Sequence, residues 1–148
     1  MKKVYGNLSS ILLAVWLLTI VSGCSHTEVF IEPLPPDTAA IDNQQPVAAG
    51  TAYNSGYYLF NTWPIYTGNP NKPNRKDYRS FHDDIRPDRM STLLILSMQH
   101  KYKVDKMINI EHEQSSWGWF SLWIVWRKTI RTSGIGVKTL PPAVAGSR

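Results

Sequence analysis

Hydrophobic and polar positions divide the chain into stretches with different patterns. Residues 11–21 are apolar except for Thr19, and residues 25–52 are mostly small or polar and are interrupted by four prolines. Further along, apolar positions recur at spacings typical of strands and of one helix. The pattern therefore predicts one folded domain over residues 53–140. It also predicts a flexible tether over residues 24–52 and a disordered tail over residues 141–148.

Local periodicity predicts the elements of this domain. Residues 57–63 are rich in aromatic side chains and predict a strand that ends at Pro64. Residues 106–114 alternate between apolar and polar, as a half-buried strand does. Residues 119–127 are apolar at nearly every position and predict a central strand, and residues 128–137 predict a third one.

One helix is predicted to begin near Pro87, because proline is favoured in the first helical turn. Asp88 lies where a carboxylate interacts well with the helix dipole, and Met90, Leu93 and Leu94 follow at helical spacing. The predicted elements together indicate a small α+β domain. We expect a mostly antiparallel sheet of three to four strands with one packed helix, preceded by the disordered tether.

The apolar run near the N-terminus has the features of an export signal. Two lysines precede it, and it is shorter than the about 20 residues that a spanning helix requires. The small residues Ser22 and Gly23 then precede Cys24, the only cysteine. We therefore expect a signal peptide over residues 1–23, cleaved between Gly23 and Cys24.

The quartet Val-Ser-Gly-Cys at residues 21–24 resembles the lipobox of bacterial lipoproteins, although the commonest first residue there is Leu. The resemblance covers only residues 1–24. It implies that the Cys24 sulfur carries a diacylglycerol and that the α-amino group freed by cleavage is acylated. The protein would then be a lipoprotein anchored in the membrane by fatty acyl chains such as palmitate. More than one acyl chain gives stable anchoring. Ser25, in place of an inner-membrane retention Asp, implies the periplasmic face of the outer membrane.

Charge and cysteine content exclude several function classes. The whole chain has a net charge of +5, and removal of Lys2 and Lys3 would leave 14 basic against 11 acidic residues. Such a weak excess does not indicate nucleic-acid binding. If Cys24 is lipidated, no thiol is left for disulfides, thiol catalysis or cysteine-ligated metal.

Two polar clusters are candidate sites for metal or acid–base chemistry. Residues 82–84 read His-Asp-Asp and could bind a divalent metal together with His100 or His112. Glu111 and Glu113 flank His112, which could support acid–base chemistry. The spacing matches no metal or catalytic motif. A solvated loop with a helix-capping carboxylate, and a polar strand face with one histidine turned towards the core, explain the two clusters better. We therefore expect no catalytic residue, no metal and no cofactor.

Aromatic residues are the other candidates for binding. Trp63, Tyr66 and Trp117 lie near predicted turns and could stack on glycan or contact a partner protein. Core packing is the competing explanation for most of the aromatic residues. The sequence as a whole predicts a non-enzymatic accessory or assembly subunit of the cell envelope, anchored in the bilayer through Cys24 and binding a protein partner. The alternative is a module that binds murein or lipopolysaccharide.

Overall fold

The computed structural model describes residues 26–40, 43–118 and 122–140, which form one antiparallel sheet and one helix. The elements in chain order are β1 (Thr27–Pro33), β2 (Gln44–Leu59), β3 (Trp63–Gly68), β4 (Tyr78–Ser80), α1 (Pro87–Tyr102), β5 (Lys106–Trp117) and β6 (Val125–Thr139). The strand order is β4-β3-β2-β6-β5, with β1 also paired to β2.

The two longest strands, β2 and β6, pair with each other over their whole length. The other edge of β2 is shared by two strands: β1 pairs with Ala48–Asn54, and β3 pairs with Gly56–Leu59. Because β1 is antiparallel to β2, its first residue, Thr27, lies opposite Asn54. The N-terminal end of β1 is therefore the end nearer to the C-terminal end of β2.

The core lies between α1 and one face of the sheet. Met90, Leu94 and Met98 on α1 are fully buried, which stabilises the fold by about 1.5–3 kcal/mol for each side chain. Several small residues in the sheet allow the helix to approach closely. At Gly50, an added Cβ would lie 2.7 Å from Met98 Cε and 3.1 Å from Leu94 Cδ1. Gly50 thus makes room for the apolar side chains of α1.

The helix begins at Pro87, as predicted, and its first turn contains Asp88. It ends at Tyr102, and the C-cap residue Lys103 adopts a left-handed conformation and donates its backbone N–H to Gln99 O at 3.0 Å. This bond satisfies one of the carbonyls that the last helical turn leaves without a partner.

The prediction of three to four strands after a disordered tether is wrong. The sheet has six strands, and residues predicted as tether form β1 and the first part of β2. Prolines misled the prediction, because Pro33 ends β1 and Pro46 lies beside a bulge in β2, positions where a strand accommodates proline. The sequence feature that indicates β1 is the alternation of apolar and other residues, because Val29 and Ile31 pack against the core.

The predicted strands after the helix are also wrong in number. Two long strands, β5 and β6, replace the three predicted over residues 106–137. Where a central strand was expected, the described residues Leu122 and Trp123 lie in a turn just before β6. Similarly, the aromatic strand predicted over residues 57–63 is divided by a turn into the end of β2 and the start of β3.

The predicted signal peptide, with Gly23 and Cys24, and the predicted C-terminal tail lie outside the described residues. In the part of the chain that the structure describes, no helix has the length and hydropathy needed to cross a bilayer.

Candidate functional site

Two neighbouring turns at one end of the sheet expose large apolar side chains. One turn joins β2 to β3, and the other joins β5 to β6. We name this surface the aromatic end. Its side chains are 47–80 % exposed, and they are Phe60, Trp63, Trp117, Leu122, Trp123 and Ile124. Scattered apolar residues are normal on protein surfaces, but apolar residues grouped in this way mark interaction sites.

Backbone hydrogen bonds hold the two turns together. Phe60 donates its N–H to Ile124 O at 2.8 Å, directly beyond the last β2–β6 pair. Within the second turn, Trp123 donates its N–H to Gly118 O at 3.2 Å. Trp126 donates its indole N–H to Trp123 O at 2.8 Å, and the two rings lie 5.1 Å apart. The aromatic end is therefore one continuous surface, positioned by the rigid β2–β6 pair.

The backbone of both turns adopts conformations that bulky residues rarely take. Phe60 has φ 47°, Leu122 has φ 52° and Trp123 has φ 68°. Glycine or asparagine would adopt these left-handed conformations at lower cost, and strain of this kind costs about 1–3 kcal/mol per residue. Folding alone would favour glycine or asparagine here. The bulky apolar residues at these positions therefore suggest a role in binding.

The aromatic end carries no formal charge. Residues 57–66 and 114–126 contain no Asp, Glu, Lys or Arg. The nearest cations along the chain are Arg127 and Lys128, at the start of β6. The Lys128 Nζ lies 4.4 Å from the centroid of the Tyr58 ring, a cation–π distance. The aromatic end is therefore an uncharged apolar surface, and two cationic residues follow it at the start of β6.

A buried tyrosine lies beneath this surface. Tyr58 is 1 % exposed and donates its hydroxyl to Asp83 Oδ1 at 2.5 Å. Burial, together with the neighbouring Asp83 carboxylate, raises the pKa of Tyr58 far above its ordinary value. The hydroxyl therefore stays neutral and fixes the loop after β4 against β2.

The structure brings together two of the three aromatic residues predicted to contact a ligand. Trp63 and Trp117 both belong to the aromatic end. Tyr66 does not, because its ring is partly buried in a row with Tyr57 at 5.1 Å and Tyr78 at 5.6 Å. It therefore packs along the sheet.

The candidate metal cluster at residues 82–84 is divided among structural partners. Asp84 is fully buried, and its Oδ1 accepts a hydrogen bond from Arg89 at 2.7 Å, while Arg79 lies 3.5 Å away. Asp83 accepts the Tyr58 hydroxyl, and His82 Nδ1 lies 2.7 Å from the Ser80 carbonyl oxygen. Among the described residues, no three His, Cys, Asp or Glu side chains are grouped to hold a metal ion.

The candidate acid–base residues are separated by the sheet. Pairing to β6 places Glu111 and Glu113 on one face and His112 on the other, where His112 Nδ1 lies 2.9 Å from Thr132 Oγ1. A regular alternation would put Ile108 and His112 on one face. The bulge between Ile108 and Glu111 instead places Ile108 on the face opposite α1 and His112 on the same face as Met107, where His112 is exposed.

Sequence reasoning missed most of the aromatic end. Leu122, Trp123 and Ile124 fell within a predicted central strand, and Phe60 within the strand predicted over residues 57–63. Residues 60–62 and 122–124 contain no glycine or proline, the residues that usually indicate a turn. The only available signal was the length of the charge-free aromatic segments. Comparison of this chain with protein-family models, with curated proteins and with solved structures found no match.

Proposed function

We propose that this protein is a lipid-anchored, non-enzymatic accessory protein of the bacterial cell envelope, and that its aromatic end contacts the bilayer holding the lipid. The observation that carries the proposal is the group of exposed, uncharged apolar side chains at the two turns. The protein would contact a partner protein through a different surface. Its acidic clusters fit a non-catalytic role, since Asp83 and Asp84 are engaged in structural bonds.

The position of β1 supports contact between the domain and the bilayer. Thr27, the first residue of β1, is three residues after Cys24. A segment this short reaches about 10 Å, so an anchored domain would lie close to the membrane. Thr27 is level with Asn54, five residues before the end of β2. This separation is about 17 Å along the strand, towards the aromatic end. Lipid and aromatic end can thus reach the same bilayer if the domain tilts.

The chemistry of the surface also suits a membrane interface. Tryptophan is enriched at the boundary between headgroups and acyl chains, where its ring is apolar and its N–H can be hydrated. Trp63 and Trp123 are both about 60 % exposed. Arg127 and Lys128 at the base of the surface would lie near headgroup phosphates. A second membrane contact strengthens attachment through acyl chains.

The lipid itself is tested by labelling. Growth of the producing bacterium with labelled palmitate should mark the wild-type protein, and Cys24→Ser should abolish the label and leave an uncleaved precursor. Label that persists in Cys24→Ser would contradict lipidation at this residue.

The membrane contact is tested by tryptophan quenching in the full lipidated protein. We expect lipids brominated near the headgroup to quench the emission of wild-type protein in vesicles. The variant Trp63→Ser/Trp123→Ser should lose most of this quenching. Phe30→Ser is the matched control, because Phe30 is equally exposed but lies away from the two turns. Wild-type emission that brominated lipids leave unchanged would contradict the membrane contact.

The same exposed tryptophans keep the glycan alternative testable. Trp63 and Trp123 expose enough ring surface to stack on a sugar. If soluble murein fragments or lipopolysaccharide oligosaccharides shift the tryptophan emission in detergent, and brominated lipids do not quench it in vesicles, the aromatic end binds glycan.

A further inference from the structure

The outer edge of β5 is open along most of its length. This strand ends the sheet order and, within residues 26–40, 43–118 and 122–140, pairs only with β6. Every residue from 109 to 117 is exposed. Its backbone N–H and C=O groups on that edge are therefore accessible to another strand.

Little in β5 prevents another strand from pairing there. Soluble proteins usually protect edge strands with proline, lysine, a bulge or a covering element. The one bulge in β5 lies between Ile108 and Glu111. From Glu111 to Ser116 the register with β6 is regular, and this segment contains no proline and no charged side chain besides Glu111 and Glu113. Six consecutive residues are thus suited to accept an added strand.

The face of the sheet opposite α1 gives this edge a negative charge. Glu111 and Glu113 lie on that face of β5, and Glu28 and Glu32 lie on the same face of β1. Two adjoining shallow troughs of about 560 and 530 Å³ cross the four strands between these carboxylates. Arg131 is the one Lys or Arg among their lining residues.

Cross-strand neighbours leave this charge available to a partner. On β6, Arg131 lies opposite Glu113, but Ser133 lies opposite Glu111. A strand added at the outer edge would place its own side chains about 5 Å from both glutamates. Lysine or arginine at alternate positions of that strand would lie on the same face as the carboxylates.

The same charges disfavour two registers in which β5 would pair with a second copy of itself. In an antiparallel pair centred on His112, Glu111 of each copy would face Glu113 of the other. In a pair centred on Glu113, the two Glu113 side chains would face each other. Like charges directly opposite each other destabilise a sheet. The two glutamates instead favour opposite charge on the added strand, so the partner that fits best is a basic segment of a different protein.

We propose that the β5 edge binds an extended basic segment of a partner protein by strand addition, with alternate cationic side chains over Glu111 and Glu113. This names the partner class and surface of the protein-binding role in the proposed function and rests on it in that respect. It does not require the aromatic end to contact a membrane, so the two proposals fail separately.

The test uses the full lipidated protein in detergent micelles and a labelled peptide of seven residues that alternates lysine and valine. We expect saturable binding by fluorescence anisotropy, and slowed hydrogen exchange of amides within residues 111–116. Replacing every lysine by glutamate should abolish binding. The variant Glu111→Gln/Glu113→Gln should bind the basic peptide about three- to ten-fold more weakly at low salt. Asp37→Asn removes an exposed carboxylate in a distant turn and should leave affinity unchanged.

Two N-methylated peptides separate strand addition from simple charge attraction. Methylation of all lysine amides blocks one edge of the peptide, and methylation of all valine amides blocks the other. Strand addition predicts that one peptide binds as the parent does and that the other does not bind. Equal binding of both, no binding of the parent peptide, or protection of amides outside β5 would overturn the proposal. Detection of a β5-paired dimer by sedimentation and hydrogen exchange would also overturn it.

Discussion

The long strands β2 and β6 connect two regions of the molecule that differ in whether their large apolar side chains are buried. At the end covered by α1, the strands carry small residues such as Ala48 and Gly136, and the helix supplies the apolar bulk. At the aromatic end, the turns carry the bulk themselves, and no described element covers it. Leu94 on the helix is fully buried, whereas Leu122 in the turn is 80 % exposed.

This comparison shows that apolar content does not by itself determine burial. A sheet face is buried only where a second layer lies on it, and α1 spans only part of the long β2–β6 pair. The turns extend beyond the helix. Apolar residues there contribute less to the core and are available for binding outside the molecule.

The largest effect should follow from removing apolar bulk under the helix. We expect Leu94→Ala to lower the free energy of unfolding by about 2–5 kcal/mol, because it leaves a cavity beside Gly50 and loses buried surface. Leu96→Ala is the matched control, since Leu96 is on the same helix but 57 % exposed. Urea denaturation measures both, and equal losses would show that α1 is not packed as the structure indicates.

The helix could be predicted better than the first third of the chain. Pro87 and Asp88 are local signals of a helix start, and they act as expected. By contrast, β1 is specified by pairing with residues about 20 positions away, and the small residues of β2 have weak strand preference. They are small because the helix must approach closely, which is a tertiary requirement that local preference does not reveal.

The candidate site was predicted only in part. Trp63 and Trp117 were found because each lies next to recognisable loop residues. Phe60 and Trp123 were missed because a left-handed backbone at a bulky residue has no local sequence signal. The two turns are adjacent because of the register of the long β2–β6 pair, which brings together segments more than 60 residues apart in the sequence.

A smaller effect is expected at Tyr58, between the two ends. Tyr58→Phe removes the hydrogen bond to Asp83 and should lower the free energy of unfolding by about 1 kcal/mol at pH 7. Asp83 is exposed and can bind water instead, which limits the loss. Chemical denaturation of wild type and variant measures the difference. A variant as stable as wild type would show that this bond contributes nothing.

The pH dependence of the same pair gives a second measurement. Burial and Asp83 raise the pKa of Tyr58 in the folded state above its unfolded value of about 10. The unfolded chain therefore releases this proton first as the pH rises. Stability from the neutral hydroxyl is complete below about pH 10 and falls progressively as the pH rises from there towards the folded-state pKa. We expect wild type to lose more stability than Tyr58→Phe between pH 9 and 11; parallel curves would contradict the raised pKa.

The smallest effect on folding is expected at the aromatic end, and this sharpens the comparison most. Leu122→Ser should change the free energy of unfolding by no more than about 0.5 kcal/mol, because Leu122 buries little surface in the fold. Relief of its left-handed backbone does not offset this, since serine meets the same strain. Denaturation in detergent measures stability, and brominated-lipid quenching in vesicles measures membrane contact. We expect Leu122→Ser to reduce quenching while Leu94→Ala, where still folded, leaves it unchanged. A Leu122→Ser variant as destabilised as Leu94→Ala would mean that this turn is part of the core and not a binding surface.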